Sequence, residues 1–262
     1  MLNRLSVSVA FVERNFALIR RYLGWEIVFI SYSVANALAI GFIGVRFGSE
    51  TVLYLIIGAM VWGFLSLLFH EVSESVAWER WEGTIEYTFM APVPRIVHLL
   101  GTASFAVIYG VLRSLLLLGV LALTFGLIIP VRSLLIVALI LFSSGLSFIG
   151  MGLIAAVLPL LSPEKGAPAT HIFEALLLLI SGVYYETDVL PPILRFLSQF
   201  SPATYTIRAL RAVILSGAGI SDLYPTILLL LIVGLIMIPI GNFIFMLAEN
   251  HARRSGKLKR GG

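Results

Sequence analysis

The sequence predicts an all-α integral membrane protein with six transmembrane helices, and three observations carry that expectation. Of its 262 residues, 59% are hydrophobic and only 12% charged, with a mean hydropathy of +1.01, outside the range of soluble domains. Apolar runs long enough to cross about 30 Å of hydrocarbon, which takes about 20 helical residues, recur along the chain. Basic residues gather at both ends, and ends that face one compartment require an even number of crossings.

Composition also excludes several chemistries. The chain has no cysteine, so it has no disulfide, thiolate metal site or cysteine nucleophile. Its net charge of +4 reads as topology and not as nucleic-acid binding, because the terminal basic clusters suit the anionic head groups of membrane lipids. The first apolar run follows more than twenty residues of helical periodicity and lacks a small-residue cleavage site. It is therefore expected to stay in the mature protein.

Leu2, Leu5, Val9, Val12, Phe16, Ile19 and Leu23 recur at alternating steps of three and four. That spacing predicts an amphipathic helix over residues 1–23, lying in the membrane interface with Arg4, Glu13, Arg14, Arg20 and Arg21 off the apolar stripe. Six spans follow, about Trp25 to Val45, Val52 to Val72, Leu99 to Phe125, Leu134 to Leu161, Pro168 to Tyr184 and Leu223 to Leu247. Arg4, Arg14, Arg20 and Arg21 precede the first span, and Arg253, Arg254, Lys257, Lys259 and Arg260 follow the last. The positive-inside rule then puts both termini in the cytoplasm.

Parity decides how to read residues 186–221. Pro191-Pro192 opens a short helix with Leu194, Leu197 and Phe200 on one face, and Ser201-Pro202 is an N-cap followed by proline at the first helical position. The second piece stops at Gly217. Were it a span, the basic tail would move outside, and Arg208 and Arg211 would enter lipid at a cost of about 2.5–3.5 kcal/mol each. A re-entrant or interfacial hairpin on the extracellular side fits better. The cytoplasmic side then holds the N-terminal helix, a charged island around residues 74–94, a short turn at Ser162-Pro163-Glu164-Lys165-Gly166 and the tail. No repeat divides the chain, which reads as one membrane domain over 1–254 with a basic disordered tail at 255–262.

A search for chemistry finds no engine. There is no phosphate loop, so any ATP is spent by a partner. His70-Glu71 resembles the start of a zinc-protease helix, but Glu74 stands where the second histidine is needed. His98, His171 and His251 lie on different segments without ligand spacing, and no metal site is assigned. Glu71, Glu74, Glu79, Glu82 and Glu86 crowd the island. They form either a solvated helix end or a docking surface for a basic groove, with Trp78 and Trp81 as anchors. Arg113 and Glu174 fall inside predicted spans, where charge marks either a transport path or a structural pair. Gly145, Ser147, Gly150 and Gly152 favour close helix packing in the fourth span.

Two local patterns carry a family resemblance. One is Glu79-Arg80-x-Glu82-Gly83-Thr84-x-Glu86 leading to Ala91-Pro92-Val93. The other runs from Ser181-Gly182-Val183 through Leu190-Pro191 to Ser201-Pro202-Ala203-Thr204-Tyr205 with Leu210-Arg211. In this order on a six-span plan, they resemble the permease subunit of type-2 ATP-binding-cassette exporters.

The resemblance implies a cytoplasmic coupling helix within 74–94. There Glu79, Arg80, Trp81, Glu82, Gly83, Thr84 and Glu86 dock on a separate cytoplasmic ABC ATPase, which holds the ATP and magnesium. This chain itself would hold no cofactor and no catalytic residue. It also implies a second permease copy, as homodimer or with a similar chain as heterodimer, in the plasma (inner) membrane of the cell. The outer hairpin becomes a gate, with Tyr184, Tyr185, Glu186, Pro191, Pro202 and Tyr205 as its candidate pathway residues. One departure stands out: relatives often carry an aromatic-proline pair where this chain has Tyr184-Tyr185-Glu186. The competing expectation is an ion-coupled carrier or channel without ATP, in which Arg113 and Glu174 form the charged path.

Overall fold

The computed structural model describes residues 4–82 and 95–255, the side chains of 4–5, 78–82, 95 and 163–169 excepted. Among the described residues every regular element is helical. In chain order these are α1 (Arg4–Arg21), α2 (Leu23–Gly44), α3 (Ser49–Glu82), α4 (Arg95–Phe125), α5 (Val131–Ala155), α6 (Val157–Leu161), α7 (Pro163–Ser181), α8 (Pro192–Ser198), α9 (Pro202–Ser216) and α10 (Ile220–Arg254), with short 3-10 turns at Val45–Phe47 and Thr187–Val189.

Five stretches are long and apolar enough to cross a membrane: Leu23–Phe47, Ser49–Ala77, Ile96–Phe125, Val131–Leu161 and Ile220–Arg254. They fall on the first four and the last of the predicted spans. The remaining predicted span, Pro168 to Tyr184, lies on α7, whose apolar stretch Thr170–Ser181 is shorter than a crossing. Two local details differ from expectation. The fourth span breaks at Ala156 between α5 and α6, because Pro159 has no N–H to donate four residues back to Ala155. The turn expected over residues 162–166 shrinks to Ser162, since Pro163 starts α7 at once, its fixed φ suiting the first helical turn.

Packing registers give the direction of each helix. Phe64 lies beside Phe148, with ring centroids 6.2 Å apart, and Val72 beside Gly152, so α3 and α5 run parallel. Leu146 meets Gly234 and Gly150 meets Gly241, so α10 is parallel to α5 as well. Against α3, however, α7 is antiparallel: Val183 meets Gly58, Phe173 meets Phe69 and His171 meets His70. The chain therefore descends twice in the same sense, along α5 and α10, and α7 returns it between them.

The core sits on α3 and α5, where 61% of the most apolar window is buried, against 17% in α2 and 22% in α10. The α5–α10 seam is built from small residues. A Cβ on Gly150 would stand 2.4 Å from the Met237 carbonyl carbon, and one on Gly241 would stand 2.5 Å from the Gly150 oxygen. Ser147 adds a polar tie, its Oγ donating to the Leu230 carbonyl at 2.7 Å. The small residues singled out in the fourth span thus do what close helix approach requires.

Helix α1 rests on the first half of α4. Ser8 Oγ donates to the Val97 carbonyl at 3.1 Å, Phe11 packs on His98 and Phe16 meets Phe105 edge-on. Gly101 makes the approach possible, since a Cβ there would stand 2.8 Å from Phe11 Cβ. The protein contact thus takes the side that carries Ser8, Phe11 and Phe16, and Val9 and Leu18 point away, exposed. The expected stripe is rotated because part of it is spent on α4.

Candidate functional site

A cavity of about 650 Å³ lies where the hairpin meets α3 and the end of α7. The local sequence builds its walls. Gly182, at φ +71°, ends α7 in the left-handed conformation, where a side chain would be strained. A 3-10 turn over Thr187–Val189 leads to α8, which opens after Pro191. Pro202 begins α9 after Ser201, and Gly217 ends it with φ +66°. The Ser201 side chain makes no capping bond to its own helix. Its hydroxyl instead meets that of Ser181 at 2.8 Å, pinning the start of α9 to the end of α7.

Arg211 is the anchor of this region. Its guanidinium donates to the carbonyls of Val183 at 2.7 Å and Gly182 at 3.0 Å, groups left open by the end of α7. It also lies over the Tyr54 ring, with Cζ 3.4 Å from the centroid. Gly58 makes room for Val183, since a Cβ there would stand 1.9 Å from the Val183 oxygen. Burial brings the Arg211 guanidinium down to about 10, while Tyr54 and Glu186 pull it back up, so it stays a cation at neutral pH.

The lining is charged and balanced: Glu50, Glu186 and Asp188 face Arg195, Arg208 and Arg211. Arg195 pairs with Asp188 at 2.7 Å, and Arg208 donates to Thr187 Oγ1 at 2.5 Å. Arg211→Ala is expected to lower unfolding stability by about 3 kcal/mol, because a charged donor is lost and two carbonyls are orphaned. Thermal unfolding of the solubilised chain reads this out. Arg211→Lys restores only part of the loss, since a single ammonium lacks the planar fork.

The six hairpin candidates divide. Tyr185 and Glu186 line the cavity, and the Tyr185 hydroxyl donates to the Leu179 carbonyl. Tyr184 packs against the core. Pro191 caps α8, and Pro202 is buried at the start of α9. Tyr205 braces the α8–α9 turn, its hydroxyl donating to the Gln199 carbonyl at 2.8 Å. Of Leu194, Leu197 and Phe200, expected to share one face, Leu197 and Phe200 are exposed, with Val189, Ile193 and Phe196 beside them. From sequence, Arg208 and Arg211 stand out as a cost in lipid, and Arg211 also as part of the second family pattern. That cost was the available signal that these cations need protein partners.

Arg113 and Glu174 share no partner among the described residues. Arg113 donates to the Phe29 carbonyl at 3.0 Å and to Ser33 Oγ at 2.6 Å, stapling α4 to α2, with Glu26 and Glu71 as the nearby carboxylates. Glu174 instead lies 3.7 Å from His70 and 3.5 Å from His171. His171 and Glu174 stand three residues apart on α7, a spacing present in the sequence. His70 on α3 gave no sign that it joins them.

Of the island, Glu79, Arg80, Trp81 and Glu82 form the end of α3, with side chains outside the described set. Gly83, Thr84 and Glu86 lie outside the described residues. No curated protein matches the chain. Residues 9–215 match the family model described as ABC-2 type transporter.

Proposed function

The chain belongs to the ABC-2 type transporter family, and on that premise we propose that it is the permease subunit of an ATP-driven exporter. It is a multi-pass membrane protein. In this reading it moves a hydrophobic or amphipathic substrate, a drug, lipid or lipid-linked glycan, out of the cytoplasm or inner leaflet of the plasma membrane. A separate cytoplasmic ABC ATPase, which carries the ATP and magnesium, drives it, and a second permease copy completes the path.

One observation carries the reading: the family match runs from α1 into α9 and so takes in the acidic island and the hairpin as far as residue 215. The antiparallel return of α7 along α3 supports a sixth crossing, because α7 has 19 residues and about 1.5 Å of rise per residue gives it roughly 28 Å. Six crossings would put both termini in the cytoplasm, as the basic ends require. The island then faces the ATPase and the charged cavity lies on the outer side, beneath a hairpin whose exposed Ile193, Phe196 and Phe200 suit the lipid interface.

The test is reconstitution. A tagged permease purified from its native membrane is expected to bring a phosphate-loop ATPase with it, and proteoliposomes of the pair are expected to export amphipathic dye only with ATP and magnesium. Uptake or efflux by the lone chain on an ion gradient, with no ATP, would overturn the proposal in favour of a carrier.

A further inference from the structure

We propose that His70, His171 and Glu174 form a site for one borderline divalent transition-metal ion, zinc above all, that clips α3 to α7. The donor atoms already stand at ion-sized spacing. His70 Nε2 is 3.4 Å from His171 Nδ1, His171 Nδ1 is 3.5 Å from Glu174 Oε2, and one ligand atom from each residue falls within 4.8 Å of the other two. Ligands held about 2.0–2.1 Å from a tetrahedral zinc stand roughly 3.3 Å apart.

The surroundings favour a cation at that point. The Glu174 side chain is only 7% exposed, and its Oε1 accepts no hydrogen bond among the described residues. A buried carboxylate oxygen left so is costly unless positive charge compensates it. The two imidazole nitrogens that face each other at 3.4 Å are at the far edge of hydrogen bonding. A bound ion would use both lone pairs and the carboxylate together.

Access and selectivity follow from the same residues. The His171 side chain is 59% exposed, which gives the ion a way in. Beside the histidines lies a cavity of about 10 Å³, bordered also by Glu74, close to the least volume that holds one water. That water would fill the fourth position of a three-ligand zinc site. Two imidazoles and one carboxylate suit zinc and its transition-metal neighbours, whereas magnesium and calcium ask for six or more oxygens.

The site sits toward the end of α3 that leads into the acidic island, so an ion there would fix α7 against the helix that carries Glu82. Binding itself does not depend on the transport reading.

The test uses the purified, metal-stripped full chain in detergent, dialysed against micromolar zinc and assayed for bound metal and thermal unfolding. The expected result is one zinc per chain and a raised midpoint, both abolished in His171→Ala and Glu174→Gln and both retained in His251→Ala. Since His171 is exposed, His171→Ala is expected to elute as the parent does, and His70→Asn serves as a second probe. Stoichiometric zinc that survives both histidine substitutions, or no zinc bound by the parent chain, would overturn the proposal.

Discussion

Gly241→Leu is expected to destabilise the protein by about 3 kcal/mol or more, whereas Gly119→Leu leaves it unchanged. At Gly241 even a Cβ would stand 2.5 Å from the Gly150 oxygen and 3.0 Å from Leu153 Cβ. The first of these is backbone and cannot swing aside, so α5 and α10 must separate. Separation forfeits dispersion along the most extensive helix contact among the described residues and lengthens the Ser147–Leu230 hydrogen bond. Overpacking of this kind costs about 1–3 kcal/mol where side chains can yield, and more where only helices can. Nothing lies within 4 Å of a Cβ at Gly119, which makes it the matched control. Thermal unfolding and elution profile of the two solubilised variants decide the matter, and equal midpoints would show that the seam has slack.

Glu82→Lys is expected to leave insertion and thermal stability intact while transport collapses. Glu82 is the last described residue of α3, beyond the apolar stretch that ends at Ala77, so the change falls away from the packed core. If the island meets a basic groove on the ATPase, a reversed charge replaces attraction by repulsion. Losing one buried partner of such a pair costs about 2–5 kcal/mol, and about 2.7 kcal/mol corresponds to roughly 100-fold weaker docking. The readouts are co-purification of the ATPase and ATP-dependent export. Undiminished export by Glu82→Lys would remove the island from the coupling role.

The spans were legible because hydropathy over twenty residues is a strong, local signal. Five of six predicted spans fall within apolar crossing stretches, and Gly217 and Ser201-Pro202 marked the ends of α9 correctly. The α5–α6 break was missed because a proline late in an apolar run alters hydrogen bonding without altering hydropathy. The sites fared differently, since they depend on which helices touch. Arg211 binds carbonyls 28 and 29 positions earlier in sequence, and His70 meets His171 across 101 positions. No spacing rule reaches that far, and composition alone made Arg113 and Glu174 look like one pathway when they belong to two separate sets.

Helices α3 and α10 have 34 and 35 residues, which at about 1.5 Å per residue makes each roughly 50 Å long. The hydrocarbon they cross is about 30 Å thick. Since they run in the same sense, both have length to spare at their C-terminal ends, one ending in the island and the other in Glu249, Arg253 and Arg254. A partner approaching from that side meets two helix ends joined to the core. A push at the foot of α3 would travel along a helix that no proline interrupts, whereas α10 carries Pro225 and Pro239, each a missing hydrogen bond at which a helix bends.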